Sequence, residues 1–322
     1  MTKAPIGKDV AASVRQRLLN HARDTQQDFQ RVLVRYGIER LLYRLSQSPQ
    51  RERFVLKGAM LFAAWSASPF RSTGDLDLLA FGPDDIAAAT ETFANLCAQG
   101  EAEDRVGVDS SAGLAHDDGL VFLGDSVTVE RTREDEDYRG LHVRLEARLK
   151  NTRIPILIDI GFGDPVHPAP VELDYPRLLL EMPAAHIRTY PPESVIAEKF
   201  DAMIRFDAQT SRLKDYYDIW AISETFPFRS TTLIEAARRT HAQRGRETPA
   251  TWPASLLPEF AERADKATQW KSFLQRTSPM LEPPAFPEVL ARVRVFLAPV
   301  LQGLQDSGEQ PDRIWTAGHG WR

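Results

Sequence analysis

Two aspartates spaced two residues apart are the part of this sequence best suited to chemistry. The segment Asp75-Leu76-Asp77 opens an apolar run that predicts a strand over Leu76–Phe81. Residues i and i+2 of a strand point to the same side of a sheet, so both carboxylates face one way. Two such carboxylates repel each other unless a cation lies between them, and Mg²⁺ or Mn²⁺ prefers oxygen ligands. The pair therefore indicates either a metal site or a turn that carries two solvated aspartates.

A third acid, Asp159, interrupts the otherwise apolar run Ile154–Ile160. Such a run is typical of a central strand that is covered on both faces. Because a buried carboxylate without a partner costs roughly several kcal/mol, we expect a cation or a hydrogen-bond donor beside Asp159. Three acids on two neighbouring strands can hold two metal ions, and that arrangement suits in-line phosphoryl or nucleotidyl transfer.

Residues that could bind phosphate lie on the N-terminal side of the aspartate pair. Lys57-Gly58 predicts a turn into a helix, and glycine gives the backbone the freedom to approach a phosphate at a helix N-terminus. Arg71 and Thr73 come just before Asp75. Arg71 is interpreted either as a phosphate contact or as a surface arginine.

A lysine and two acids form a second group of charges later in the chain. Lys199 lies beside the apolar side of a predicted helix, where it could neutralise phosphate charge or remain in solvent. Asp215 and Asp218 are three residues apart near the start of the next predicted helix, so they share a face and suit the helix dipole. On their own we interpret these two acids as part of a capped helix with surface ion pairs.

The elements that must position these residues follow from hydrophobic periodicity. Residues 9–46 predict one or two amphipathic helices, and residues 105–149 predict a meander of strands. The other predicted elements are a strand over Phe54–Lys57 and helices over Gly58–Trp65, Ile86–Ala98, Pro192–Phe206 and Lys214–Phe226. Helices continue to about Leu304, and the end of the chain is expected to be frayed. We predict an α/β domain with N-terminal helices over residues 1–190 and a helical domain over residues 191–322.

The composition is that of a soluble globular protein, with 43% hydrophobic and 26% charged residues among 322. The sequence contains no apolar stretch long enough for a membrane span, and we expect no secretory signal. One cysteine, Cys97, excludes an internal disulfide and a cysteine-rich zinc site. We therefore expect a cytoplasmic protein, with a monomer as its default state.

Charge is distributed unevenly along the chain, whose net charge is −5. Residues 1–60 contain 12 Lys and Arg against 5 Asp and Glu, whereas residues 84–137 contain 3 against 15. The basic N-terminal part is compatible with binding a phosphate backbone or with solvated helix faces. In the first case Arg51, Arg53, Lys57 and the N-terminal helices would hold an RNA backbone.

Five segments occur in the order found in a known family. They are FVLKGAMLFAAW, RSTGDLDLLAFG, ILIDIGFGD, SVIAEKFDAM and RLKDYYDIW. In this order they resemble the AbiEii/AbiGii-type nucleotidyltransferase toxins, which include the mycobacterial MenT toxins. The resemblance implies a polymerase-β-like nucleotidyltransferase fold of the α/β (α+β) class with a helical C-terminal domain.

The resemblance also implies roles for individual residues. Asp75 and Asp77 match the metal-binding pair of the family. Lys199 matches its essential lysine and Asp215 its essential downstream acid, while Asp159 matches the third strand position by order. With Lys199 and Asp215 in the helical domain, the site is expected in a cleft between two domains.

Two positions near the aspartate pair bear on how phosphate is bound. Thr73 matches a Ser or Thr position that can be phosphorylated in relatives. Ala59-Met60 departs from the family pattern, in which a hydroxyl residue often follows Lys-Gly. Losing that hydroxyl removes a possible triphosphate contact and leaves the metal site intact. We therefore expect an active enzyme that binds the triphosphate differently.

Members of this family act as toxins of toxin–antitoxin pairs. The resemblance implies that this chain uses NTP and Mg²⁺ to add nucleotides to the 3′ end of tRNA, which blocks aminoacylation, and that a cognate antitoxin binds it. One alternative is a nucleotidyltransferase that modifies a small molecule or a protein hydroxyl, with the acidic residues 84–137 facing a cationic substrate. Another is a catalytically silent relative that binds RNA or protein. Loss of Asp75, Asp77 or Lys199 would mark the silent relative, and all three are present.

Overall fold

The computed structural model describes residues 9–66, 73–99, 117–132, 140–277, 279–306, 308 and 310–322. Arg71 and the first part of the expected strand meander, residues 105–116, lie outside the described residues. The chain forms two compact units. The first, here called the sheet unit, comprises Met1–Met60, Gly74–Phe162 and Glu172–Arg188. The second, here called the helical unit, comprises Leu61–Thr73, Gly163–Val171 and Thr189–Arg322.

A seven-stranded mixed sheet carries the candidate acids. Its strands are β1 (Phe54–Lys57), β2 (Asp75–Ala80), β3 (Leu120–Arg131), β4 (Gly140–Leu149), β5 (Thr152–Phe162), β6 (Val171–Asp174) and β7 (His186–Thr189). They follow the order β3-β4-β5-β2-β1-β7-β6. Strand β2 is parallel to β5, whereas the pairs β1/β2, β3/β4 and β4/β5 are antiparallel. A mixed sheet combined with helices confirms the predicted α/β class.

The α-helices of the described ranges are α1 (Val10–Asp24), α2 (Phe29–Ser46), α3 (Leu61–Trp65), α4 (Ile86–Ala98), α5 (Pro192–Phe206), α6 (Leu213–Thr225), α7 (Ser230–Gln243), α8 (Pro258–Glu262), α9 (Ala264–Thr277) and α10 (Phe286–Gln305). In α1, α2 and α4 an aspartate caps the first turn by accepting a backbone hydrogen bond. Within the described ranges, no helix combines the length and apolar character that a membrane span needs.

Helices α1, α2 and α4 belong to the sheet unit and pack on one face of its sheet. Gly37 of α2 lies so close to β5 that an added Cβ would be 3.1 Å from the Ile156 side chain. Phe93 of α4 meets Phe54 of β1 edge to face, with ring centroids 6.1 Å apart. We call this side of the sheet the apolar face, and it holds the core of the sheet unit.

Over Ile154–Ile160, strand β5 is fully buried on that face alone, so the expectation that this run is covered on both faces is wrong. Ile154, Ile156, Ile158 and Ile160 are at most 2% exposed. The positions between them are less buried, and the Asp159 side chain is 49% exposed. The apolar residues that suggested two covered faces, Pro155 and Leu157, alternate with the isoleucines and lie on the opposite face.

The end of the chain is folded, so the prediction of a frayed terminus is also wrong. Strands β9 (Ile314–Thr316) and β10 (Gly320–Trp321) form a hairpin that pairs with β8 (Phe228–Arg229) in a second sheet. Trp315 is fully buried, and its Nε1 donates a hydrogen bond to the Ser223 carbonyl at 2.7 Å. The ring of Trp315 packs edge to face on Phe296 of α10. Aromatic burial therefore orders a segment that has little periodicity.

Candidate active site

One face of the sheet, opposite the apolar face, carries the candidate catalytic acids. Asp77 of β2 pairs in register with Asp159 of β5 and with Lys57 of β1, and Asp159 pairs with His142 of β4. Directly paired residues project on the same face of a sheet, so these four side chains form one row across four strands. Asp75 lies two residues before Asp77 and projects on this face as well. We call this side of the sheet the polar face.

His142 is the hydrogen-bond partner of Asp159. Its Nδ1 lies 2.6 Å from Asp159 Oδ1, and the His142 side chain is 24% exposed. A carboxylate without a proton only accepts hydrogen bonds, so the tautomer of His142 that carries its proton on Nδ1 is the one that suits this contact. The donor expected beside Asp159 is therefore present, although Asp159 is half-exposed rather than buried. Sequence reasoning did not select His142, but the strict alternation of residues 141–149 places it among the polar positions of β4.

Gly58 determines how the chain leaves β1 beside Asp77. Its φ is +70°, in the left-handed region that favours glycine. A Cβ at this position would lie 2.5 Å from Asp77 Cγ and 2.6 Å from Asp77 Cβ, closer than real atoms approach. The backbone after β1 therefore packs directly against the Asp77 side chain, and glycine is required on two grounds.

The acids of the polar face fit a magnesium ion in one particular way. Among the described residues, no group of three or more His, Cys, Asp or Glu side chains is arranged to hold a metal ion. Mg²⁺ does not require such a group, because it commonly binds one or two carboxylates together with water and substrate phosphates. Asp75 and Asp77 supply two oxygen ligands on one face and so fit that mode of binding.

A second cluster, in the helical unit, is built around Lys199 of α5. Its Nζ lies 2.8 Å from Asp215 Oδ1 and 2.8 Å from Asp218 Oδ2, both on α6. Arg212 Nε lies 2.8 Å from the other oxygen of Asp215. The two aspartates are at most 1% exposed and Lys199 is 15% exposed, so the interpretation as surface ion pairs is wrong. The sequence did not predict Asp218 as a site residue, and its spacing from Asp215 was the available signal.

The electrostatics of this cluster keep Asp215 ionised. Burial raises the pKa of Asp215, but the charges and hydrogen bonds of Lys199 and Arg212 outweigh it and lower that pKa from 3.8 to about 2. Asp215 is thus ionised at neutral pH. The cluster therefore holds an ammonium group in a fixed position with two of its three donors directed at carboxylates.

The family model described as nucleotidyl transferase AbiEii toxin, type IV toxin–antitoxin system, matches residues 40–292. This chain belongs to that family. The matched range includes every candidate residue named above, from Lys57 to Asp218. The family expected from the five sequence segments is thereby confirmed, and with it a nucleotidyltransferase from a toxin–antitoxin system.

Two solved structures resemble this AbiEii-family chain at low sequence identity. One is described as a candidate nucleotidyltransferase from H. pylori, with 11% identity, a TM-score of 0.45, and coverage of 88% of this chain and 100% of that one. The other is JHP933 from Helicobacter pylori, with 11% identity, a TM-score of 0.44, and coverage of 85% and 93%. Comparison with curated proteins yields no match.

The basic N-terminal part of this AbiEii-family chain provides fewer surface cations than its composition suggests. Arg40 and Arg44 of α2 are 1% and 3% exposed. Arg44 binds Asp118 at 2.6 Å, and Arg40 donates to the Pro183 carbonyl at 2.7 Å. These two arginines hold the sheet unit together and cannot contact an RNA backbone, whereas Arg23 of α1 and Arg31 of α2 are exposed, so for them the expected RNA contact stays a prediction.

The remaining expected phosphate contacts within the described residues are Arg51, Arg53, Lys57 and Thr73. Arg51 pairs with Glu52 and Glu172, and Arg53 donates to the carbonyls of Phe81 and Pro83. Lys57 is partly buried in the row on the polar face. Thr73, which is partly exposed, is the last residue of its segment of the helical unit.

Proposed function

We propose that this chain transfers a nucleotide from an NTP to the 3′ end of tRNA in a Mg²⁺-dependent reaction that blocks aminoacylation. The observation that carries the proposal is the pair Asp75 and Asp77 on the polar face, in register with Asp159, in a chain of a nucleotidyltransferase toxin family. A cognate antitoxin is the expected protein partner, because the family belongs to toxin–antitoxin systems.

In this reaction the terminal hydroxyl of the acceptor attacks the α-phosphorus of the NTP. A bond forms between that oxygen and phosphorus, the bond from the phosphorus to the bridging oxygen breaks, and pyrophosphate leaves with the electron pair. The hydroxyl proton passes to solvent. Mg²⁺, when bound, supplies positive charge against the triphosphate and the attacking oxygen.

The residues of the polar face have distinct tasks in this proposal. Asp75 and Asp77 hold the ion, with Asp159 as a proposed third ligand. Gly58 fixes the position of Asp77 through the close approach of its backbone. Lys57, Gly58, Arg71 and Thr73 remain proposed nucleotide contacts.

We assign Lys199 the task of binding phosphate. Asp215 and Asp218 hold its ammonium group at 2.8 Å each, and Arg212 pairs with the other oxygen of Asp215. A lysine fixed in this way loses little conformational freedom when it binds a triphosphate, which favours affinity and orientation. Asp215 and Asp218 act through Lys199 and are positioning residues.

Incubation of the purified protein with total tRNA, Mg²⁺ and each α-phosphate-labelled NTP tests the proposal. We expect label at the 3′ end of tRNA with at least one NTP. Asp77→Asn should reduce transfer at least about 100-fold, because it removes charge that holds the metal and so raises the barrier by several kcal/mol. Asp125→Asn is the matched control, since Asp125 is an exposed aspartate on β3.

The outcomes separate the alternatives. Absence of label from tRNA with every NTP, from folded protein with Mg²⁺, would contradict the proposal. Label on an aminoglycoside or on a protein, with unmodified tRNA, would assign a different acceptor to the same site. Full inhibition of growth by the Asp77→Asn protein would indicate a toxin that acts by binding rather than by catalysis.

A further inference from the structure

The hairpin formed by β4 and β5 carries three arginines on the polar face. Arg144 of β4 pairs with Leu157 of β5, which in turn pairs with Asp75 of β2. Arg148 of β4 pairs with Arg153 of β5. Since paired residues share a face, and residues an even number apart on one strand share it too, all three arginines project on the side of Asp75 and Asp77.

The hairpin extends beyond the start of β2. Strand β2 begins at Asp75, at the level of Arg144 and Leu157, whereas Arg148 and Arg153 lie four residues further along their strands. Four residues of strand span about 13 Å. The arginines therefore continue from the level of the candidate metal ligands to the hairpin end.

These arginine side chains are exposed. Arg148 is 46% exposed and Arg153 is 74% exposed, and Arg144 is also exposed. Among the described residues, the side chain of Arg144 makes no hydrogen bond or ion pair. Arg148 and Arg153 share one partner, Glu146, at 3.0 Å and 3.8 Å. Three cations thus face one anion.

We infer that Arg144, Arg148 and Arg153 form a track that binds the phosphate backbone of the RNA acceptor. This inference rests on the proposed function, since it names the binding site for the acceptor of that reaction. Exposed pairs such as Arg148–Glu146 contribute at most about 1 kcal/mol, so a phosphate can replace the carboxylate. The planar guanidinium group binds phosphate through two parallel hydrogen bonds.

Charge complementarity favours a polyanion on this track. Asp75, Asp77 and Asp159 repel a phosphate backbone, so an acceptor that approaches the polar face needs compensating cations nearby. The arginine track supplies them at the side of the acids rather than among them. A backbone bound there directs one end of the RNA towards the level of Asp75.

Binding of fluorescently labelled total tRNA at a series of KCl concentrations tests the track. The variant Arg144→Gln/Arg148→Gln/Arg153→Gln removes three charges and keeps most of each side chain. We expect its tRNA affinity to fall at least about tenfold at moderate salt. The plot of log affinity against log salt should become less steep by about 2, since each lost phosphate contact accounts for about 0.7 of the slope. Its affinity for NTP should change less than about twofold, since no arginine of the track is assigned to the nucleotide.

Two controls sharpen the test. Lys271→Gln/Arg276→Gln/Arg322→Gln removes three exposed cations of the helical unit and should leave tRNA affinity unchanged. Glu146→Gln removes the carboxylate that competes for the track, so it should strengthen tRNA binding and steepen the salt dependence. Opposite effects from neighbouring positions on one hairpin are not produced by local unfolding.

Wild-type tRNA affinity and salt slope in the triple variant would overturn the inference. If that variant fails to fold, the single variant Arg144→Gln decides, because its side chain has no partner among the described residues. If the track variants transfer nucleotides to tRNA as well as wild type does, the proposed function is supported and the track is not. If tRNA binding depends on the track but no nucleotide is transferred from any NTP, the track is supported and the proposed function is not.

Discussion

At the scale of single residues, the Asp77 carboxylate depends on Gly58. The acids themselves were predictable, because Asp75, Asp77 and Asp159 interrupt apolar strands at fixed positions. The sequence predicted a turn at Gly58. It could not predict that the Gly58 backbone packs against Asp77, because that contact depends on the pairing of β1 with β2, which is a tertiary property. The same holds for His142, which meets Asp159 through the pairing of β4 with β5.

Gly58→Ala should displace Asp77. The added methyl group would occupy the space of the Asp77 side chain, and alanine at φ +70° costs about 1–2 kcal/mol in addition. A shift of a reacting group by about 1 Å can reduce the rate 100-fold, so we expect at least that loss of nucleotide transfer in the labelling assay.

Gly82→Ala is the control for backbone strain. Gly82 also has a positive φ, at +99°, and an added Cβ would meet no atom within 4 Å. We expect a comparable loss of stability of about 1–2 kcal/mol with transfer largely retained. Equal losses of transfer in the two variants would show that the contact with Asp77 has no catalytic consequence.

Lys199→Met should reduce both stability and activity. It leaves Asp215 and Asp218 buried without the ammonium group that both contact, and loss of one partner from a buried ion pair costs about 3–5 kcal/mol. Urea unfolding measures the first effect, and nucleotide transfer measures the second.

The variant Lys199→Met/Asp215→Asn/Asp218→Asn separates these two effects. It removes the charges together, so most of the lost stability should return, while transfer should remain absent because no lysine binds phosphate. Recovery of transfer along with stability would show that Lys199 has a structural role alone.

At the scale of elements, local signals predicted helices well and tertiary burial decided the rest. Helices α4 and α5 have the predicted bounds, because Asp85 caps one and Pro192 begins the other. Strand β5 was misjudged, since its apolar run does not reveal which positions face the core. The hairpin of β9 and β10 was missed, because its order comes from Trp315 packing on distant residues.

Trp315→Ala should destabilise the helical unit by about 3–5 kcal/mol. Trp315 is fully buried, and truncation of a buried tryptophan removes apolar contacts and leaves a cavity. All six tryptophans lie in the helical unit, so the fluorescence of the other five reports its unfolding in urea.

Ile314→Ala is the neighbouring control for that hairpin. Ile314 is 51% exposed, so its truncation should change stability by no more than about 0.5 kcal/mol. A similar small effect of Trp315→Ala would mean that the end of the chain contributes little to the helical unit, as a frayed segment would.

At the scale of the whole molecule, charges counted along the sequence do not translate directly into surface charge. The basic N-terminal part suggested a surface for RNA, but Arg40 and Arg44 lie inside the sheet unit. Glu39 is buried beside Arg40, with its Oε1 3.2 Å from the guanidinium group, and Oε2 accepts a hydrogen bond from the Leu178 amide at 2.8 Å. These internal charges make the stability of the protein depend on pH.

The contributions of Glu39 and Asp215 to the stability of the protein depend on pH in opposite directions. Burial raises the pKa of Glu39 from 4.5 to about 6, so its contribution to stability is full below pH 4.5 and is lost as pH rises through 6. The lowered pKa of Asp215, about 2, gives a contribution that is present above pH 3.8 and is lost as pH falls through 2. Between pH 4.5 and 7, the contribution of Glu39 to stability therefore changes, whereas that of Asp215 stays constant.

Glu39→Gln should remove this part of the pH dependence. The amide oxygen can still accept from Leu178, and a neutral side chain avoids the cost of a buried charge at pH 7. The free energy of unfolding of the variant relative to wild type should thus increase by up to about 2 kcal/mol from pH 4.5 to pH 7. Hydrogen exchange of the β4 and β5 amides measures this in the sheet unit, with Glu91→Gln on the exposed side of α4 as the control that should show no change. A relative stability that is independent of pH would contradict the shifted pKa and place Glu39 in a solvated environment.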